Sequence, residues 1–397
     1  MMNRLTVSAL LKAVILITAL CVIAAVALGA SDSWQRLQAT SRMSLVADAS
    51  ANLFKAMHNL RTDRPYTNRA LIAEQPMDSD AEKYLRQPRD DQMPALARAL
   101  ELLPAAEFEQ KPTLLPELDR LNRLLIAQQS EFWGEVAKPK AQRRLALGKE
   151  YLDSTQALLA TLDKTSAALA ASVLHEDATF DQLLAIKQIA WLLRNTAGEA
   201  SVTVSNGLNA GKMSPERHLY YTHFVGGVEA TWNALQVTAA GMQLPPALAA
   251  AIAAIKTAYF DPDYLKLRDD LANQLAAGEK PDMTANQWSP LTVGRMAAAV
   301  KVAEAALEAA KEHSAGQHAA ALHSLLLQLG LLTGAIALTL GAMIMVGRRV
   351  ITPLVTIRDA MLKVAGGDLT VSTGYGERQD EIGALAGALE TFKQQAE

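Results

Sequence analysis

Cysteine is almost absent: Cys21 is the one such residue in 397. A lone cysteine excludes an intrachain disulfide and every Cys-based zinc or redox motif. Aromatic residues make up only 5% of the chain. Strands favour aromatic and β-branched side chains, whereas the plentiful Ala and Leu are strong helix formers, so an all-α fold is expected. An excess of charge is missing too, since 38 Lys and Arg against 41 Asp and Glu leave a net −3. A bulk basic field for nucleic acid is thereby excluded. No His-Glu-x-x-His arrangement or other catalytic set occurs, so no metal, no cofactor and no enzymatic activity is expected. His313, His318 and His323 fall five apart, which turns each about 140° from the last around a helix and spreads them. His218 and His223 share that spacing.

What the chain does have is two charge-free apolar runs, Ala13 to Ala30 and Ser324 to Val346. A helix needs roughly 20 apolar residues to cross a bilayer. The second run meets this. The first does so if Leu5 to Leu11 extends it and Lys12 snorkels. Its competing reading is a cleaved signal peptide ending near Leu28-Gly29-Ala30. The expected organisation is a start segment 1–12, a transmembrane helix 13–31, an outer domain 32–322, a second transmembrane helix 323–346 and a tail 347–397. Arg4 and Lys12 precede the first span, and Arg348 and Arg349 follow the second. The positive-inside rule then puts both termini in the cytoplasm and 32–322 outside, which is the periplasm for a two-pass protein of a bacterial inner membrane.

The outer domain reads as a helical bundle. Long helical stretches alternate with breaks at Gln75-Pro76, Leu103-Pro104, Lys111-Pro112, Lys138-Pro139, Gly211 to Pro215, Pro245-Pro246, Asp261-Pro262 and Gly278 to Pro281. Proline lacks a backbone donor and restrains its predecessor, so such sites bound helices. Ser214-Pro215-Glu216 is a strong helix start. The pattern recurs: Phe54-Lys55 and Leu60-Arg61 have counterparts in Ile186-Lys187 and Leu193-Arg194. Two tandem modules of four helical segments, about 32–178 and 179–322, are expected from it. The first and last outer helices should continue into the spans, with a disturbance at Pro65.

Candidate binding residues are basic. Arg61 and Arg64 stand in the first outer helix, and Arg194 holds the corresponding place in the second module. Arginine grips carboxylates through a bidentate fork, so these three are candidates to hold an anionic ligand between helices. Glu199, Tyr66 and Trp191 could line the same regions. The competing reading is a solvated face with local ion pairs, for example Arg64 near Asp63. Trp191, Trp232 and Trp288 read as core residues.

After the second run the pattern sharpens. Pro353, Leu354, Ile357, Met361 and Val364 repeat at 3-4 spacing, and Ala365-Gly366-Gly367-Asp368-Leu369 ends that helix. A connector follows, Thr370 to Gln379. Asp380-Glu381-Ile382-Gly383 opens a second helix with Ile382, Leu385, Leu389 and Phe392 again at 3-4 spacing. Two short helices cannot bury such stripes alone, whereas a homodimer gives a four-helix coiled coil. Asp380 and Glu381 suit a helix start, and Gly367 suits a sharp exit. Leu369-Thr370 after Gly366-Gly367-Asp368 rules out a cyclase signature.

This stretch resembles a HAMP domain, the helix-connector-helix relay of bacterial transmembrane receptors. The whole layout is similar to a methyl-accepting chemotaxis receptor with a bimodular helical sensor. The resemblance implies a receptor that senses a small ligand outside, such as an organic acid, and relays it through HAMP to a downstream module or co-receptor. It covers about 50 residues by motif, and the other 290 or so by layout alone. A chemotaxis receptor continues into a methylated cytoplasmic hairpin, which this chain lacks. It is expected either to be a fragment or to signal through another chain. The alternatives are the sensor part of a histidine kinase or nucleotide cyclase, or a freestanding HAMP interaction protein.

Overall fold

The computed structural model describes residues 6–74, 77 and 79–396. Arg4, Leu5 and the break at Gln75-Pro76 lie outside the described residues. Eleven α-helices and no strand occur among the described residues, so the fold is all-α. They are α1 (Val7–Ile72), α2 (Ser79–Leu102), α3 (Lys111–Val136), α4 (Ala146–Ser172), α5 (Ala178–Ala210), α6 (Pro215–Ala240), α7 (Pro246–Ala258), α8 (Pro262–Ala277), α9 (Ala285–Val346), α10 (Thr352–Ala365) and α11 (Glu381–Ala396). A single π-helical turn, Gly347–Ile351, joins α9 to α10.

The helix ends have local causes. Asp177, Ser214 and Asp261 each accept a hydrogen bond from the backbone N–H three residues on, which starts α5, α6 and α8. Pro215, Pro246 and Pro262 occupy first-turn positions, where no N–H is needed. Pro65 lies inside α1, which runs on through it to Ile72. Pro262 makes α8 a separate helix, so four helices, α1 to α4, begin before Ala178 and five, α5 to α9, begin between Ala178 and Ala285.

Residues Gln38–Ala319 form one compact unit. Its main core takes side chains from both halves, including Leu53, Met57 and Leu60 of α1 and Ile186, Ala190 and Leu193 of α5. These follow the 3- and 4-residue spacing of one helix face. Phe54 meets Trp191 edge-on with ring centroids 5.4 Å apart. Trp191, Trp232 and Trp288 are all buried, and the Trp288 indole donates to the Ser201 carbonyl at 3.1 Å.

One ionic network is buried among α1 to α4. Asp63 is 0% exposed and accepts from Arg89 Nε at 2.9 Å. Arg89 Nη2 reaches Thr67 at 2.7 Å, and Thr67 donates back to Asp63 at 2.9 Å. The Tyr151 hydroxyl donates to the other Asp63 oxygen. The Arg89 guanidinium also lies 4.5 Å from the Phe132 ring centre.

The second unit comprises Met1–Leu37 and Ala320–Glu397. It holds both apolar runs, and among the described residues the two helices that carry them are long and apolar enough to cross a membrane. The most apolar 18-residue window of each helix is uncovered by protein, as a lipid-facing surface requires. Ser33 and Ser324 share a 3.0 Å hydrogen bond between the two helices. The Gln328 amide fills the space beside Gly29. Such small-residue and hydroxyl contacts are what let helices associate in lipid.

Candidate functional site

Two places carry chemistry, one in each unit. The first is a cluster of cations between α1 and α5. Arg61 pairs with Glu199 at 2.7 Å. Arg64 donates to the Gln156 side chain at 2.8 Å and to the Leu152 carbonyl at 3.3 Å. Among the described residues Arg194 has no hydrogen bond or direct ion pair, although it is only 7% exposed. A methyl placed on Gly198 would meet Arg194 Nη1 at 3.0 Å and Arg61 Nη2 at 3.8 Å. The two guanidinium groups thus share the notch above that glycine.

The electrostatics follow from this crowding. Burial first, and then the charge of Arg61, lower the Arg194 pKa to about 9, with Glu199 opposing. Burial and Arg61 also lower that of Arg64. His58, one turn before Arg61, has a buried Nδ1 without a partner. Burial and Arg194 lower its pKa from 6.5 to about 4. Three arginines therefore face one half-exposed carboxylate, Glu199. A site built this way has donors and positive charge to spare and too few acceptors.

The His58 shift carries a pH dependence. An unfolded histidine titrates near 6.5 and the folded one near 4, so the unfolded chain binds more protons between these values. Stability contributed by His58 is complete above about pH 6.5 and is lost as pH falls toward 4. Urea denaturation of the full chain at pH 7.5 and pH 4.5 should show this loss, and His58→Gln should shrink it. An equal acid response in the variant would remove His58 from the account.

The sequence brought Arg61, Arg64, Arg194 and Glu199 forward, and the structure places all four together. Trp191 packs in the core on Phe54, and Tyr66 packs in a separate cluster around Phe132. The local ion pair expected for Arg64 does not form, because Asp63 turns inward to Arg89. Sequence reasoning missed His58 and Gly198. Both had a signal, since they lie three residues before Arg61 and four after Arg194, which are same-face spacings. The histidines stay apart: His313 meets Asp177 at 2.9 Å, His318 meets Ser41 at 3.2 Å and His218 meets Asn273 at 3.2 Å. Among the described residues no group could hold a metal.

The second place is the α10–α11 pair. Ile357, Ala360 and Val364 of α10 pack with Ile382, Ala386 and Leu389 of α11, and Leu354 borders them with Leu369, Val371 and Tyr375 of the connector. Pro353 is buried at the start of α10. Met361 and Leu385 are 42% exposed and Phe392 is 64% exposed, so these stripe positions stay uncovered within one chain. Gly367 leaves α10 with φ of 94°, a left-handed conformation that a side chain would strain. Asp368 accepts from the Thr370 N–H at 3.0 Å and its hydroxyl at 2.6 Å, which fixes the turn and holds its carboxyl below the usual range. Asp380 caps α11 through the Gly383 N–H at 3.2 Å, and Glu381 is the first helical residue. Arg378 beside Asp380 holds that carboxyl low as well.

Two short helices with a turn-bound connector, directly after an apolar helix, define a helix-connector-helix relay. Residues 345–397 match the HAMP domain family. This supports a HAMP-containing signalling protein anchored in a membrane. No curated protein and no solved structure matches the chain.

Proposed function

We propose that this chain is a non-enzymatic receptor, homodimeric and two-pass in a bacterial inner membrane, that senses a small organic anion outside the cell membrane and relays it inward. Residues 32–322 bind the anion in the periplasm, in two helical modules, at Arg61, Arg64 and Arg194. The HAMP region then passes the change to a cytoplasmic output, most simply that of chemotaxis. The orientation rests on Lys12 before the first apolar run and Arg348 and Arg349 after the second. Dimerisation rests on Met361, Leu385 and Phe392, apolar side chains that a second copy would cover.

The observation that carries the sensing claim is Arg194, buried and without an acidic partner. A buried cation normally has one, and an unpaired one costs several kcal/mol. A ligand carboxylate would supply the missing acceptor and relieve the repulsion between Arg194 and Arg61. Binding shifts a two-state protein only if the anion prefers one state, and the α1–α5 notch gives it a means to do so.

Arg194→Met tests this in two directions. Isothermal titration of the full chain in nanodiscs with a panel of small mono- and dicarboxylates should find a binder. The variant should lose that binding at least about 30-fold, the low end for removing a buried charged partner. The ligand-free variant should meanwhile be more stable, by about 1–3 kcal/mol, because an apolar side chain replaces an uncompensated charge. Unchanged affinity, or a less stable variant that still binds, would refute the site. The output class is open to a separate check. A downstream reading frame with heptads carrying Glu/Gln pairs favours chemotaxis, and a phosphoacceptor histidine favours a kinase.

A further inference from the structure

The junction between α9 and α10 has a built-in defect. Pro353 has no N–H, so in an unbroken α-helix the Arg349 carbonyl, four residues earlier, would lack its donor and face the proline ring. The chain widens there into the π turn Gly347–Ile351. The Thr352 N–H and hydroxyl both turn back to the Gly347 carbonyl, the hydroxyl at 3.0 Å. A donor for the Arg349 carbonyl comes from elsewhere, as Arg378 Nη2 reaches it at 3.1 Å. Asp380 holds Arg378 in place, with contacts of 2.5 Å to Nη2 and 3.1 Å to Nε. The same Asp380 carboxylate caps α11. One side chain therefore ties the first turn of α11 to the weakest point of the helix that leaves the second apolar run.

We infer that Arg378 is a latch that sets the angle between that run and α10 and makes the angle depend on how α11 is seated. π turns and prolines are where helices bend, because backbone hydrogen bonds are missing there. With the latch closed, the Arg349 carbonyl, which Pro353 cannot serve, has a side-chain donor and the bend is held. When α11 shifts, Asp380 carries Arg378 with it, the carbonyl is released and the joint gains freedom. Information can then cross the joint through α11 as well as along α10. This positions Arg378 and Asp380 as a pair, in which Asp380 orients the guanidinium and Arg378 makes the contact. The inference rests on the relay reading of residues 345–397 but needs neither a ligand nor an output, so it fails separately from the receptor reading.

Electron–electron distance measurements test it on the full chain in nanodiscs. Nitroxides are placed at Leu338 and Leu362, both exposed, in a Cys21→Ala background. Labelled chains are diluted in unlabelled ones so that only distances within one chain are read. The two sites are about 36 Å apart along a straight helix, within range. Arg378→Ala should widen the distance distribution at least about two-fold. Pro353→Ala restores an N–H to the Arg349 carbonyl, so its distribution should stay narrow. The double variant Pro353→Ala with Arg378→Ala should match Pro353→Ala alone. No widening in Arg378→Ala overturns the latch. Equal widening in the double variant overturns it too, because that reports a disrupted α10–α11 pair and not a released joint.

Discussion

Replacing Arg89 with alanine should destabilise the Gln38–Ala319 unit by about 3–5 kcal/mol, the range for breaking a buried ion pair from one side. Asp63 has no exposure and, among the described residues, no other cation within bonding distance. Its remaining partners, Thr67 and Tyr151, are neutral hydroxyls that cannot offset a buried carboxylate. Removing Arg89 also uncovers the Phe132 face on which the guanidinium lies. A melt of the full chain followed by circular dichroism should show the transition of this unit lowered by roughly 6–15 °C. The double variant Asp63→Leu with Arg89→Met should recover much of the loss, since well-packed apolar replacements of a buried pair are often neutral. A loss under about 1 kcal/mol in Arg89→Ala would mean that water reaches Asp63.

Gly383→Ala should prevent α11 from docking on α10. A Cβ at position 383 would lie 1.8 Å from the Arg378 carbonyl oxygen. That neighbour is backbone, so no rotamer change can clear the overlap, and the cost should reach about 3 kcal/mol or more. Hydrogen exchange of the full chain should show the amides of α11 losing protection. Gly387→Ala is the control in the same helix, because a Cβ there meets nothing within 4 Å. It should instead stabilise α11 by about 0.5–1 kcal/mol through the gain in helix propensity. Equal protection in both variants would show that the first turn of α11 can move away from Arg378 without loss.

The all-α class and both apolar runs were legible because they depend on composition and on local spacing alone. The HAMP region was legible for the same reason, since Pro353, Gly367 and the Asp380-Glu381-Ile382-Gly383 start each act within a turn of their own position. The Arg61–Arg194 neighbourhood was half legible. Matching Leu60-Arg61 with Leu193-Arg194 pointed to both arginines, but nothing local says that α1 and α5 lie side by side or that Glu199 pairs across them. Asp63 was misjudged because its side of α1 depends on Arg89, 26 residues away. The stripe at 3-4 spacing was right about which residues are apolar. It did not say that Ala360 and Ala386 fill the contact inside one chain while Met361, Leu385 and Phe392 turn outward. Small alanines allow that close approach, and a hydrophobic count gives them little weight. The π turn was not anticipated at all, though Pro353, four residues after Arg349, marks a place where the helical ladder must lose a bond.

The buried Arg194 also lets the proposed anion binding be tested without any knowledge of the output. A site that holds excess positive charge when empty gains most when it is filled, so a fitting anion must raise the melting temperature. At a hundred times its dissociation constant such an anion adds about 2.7 kcal/mol, which is about 5 °C for a unit of this size. Cations and neutral isosteres of the same shape should give no shift. A library of simple acids, screened by heat alone, therefore tests the proposed sensing role and names the chemical that fits the notch before anyone knows what the cell does in reply.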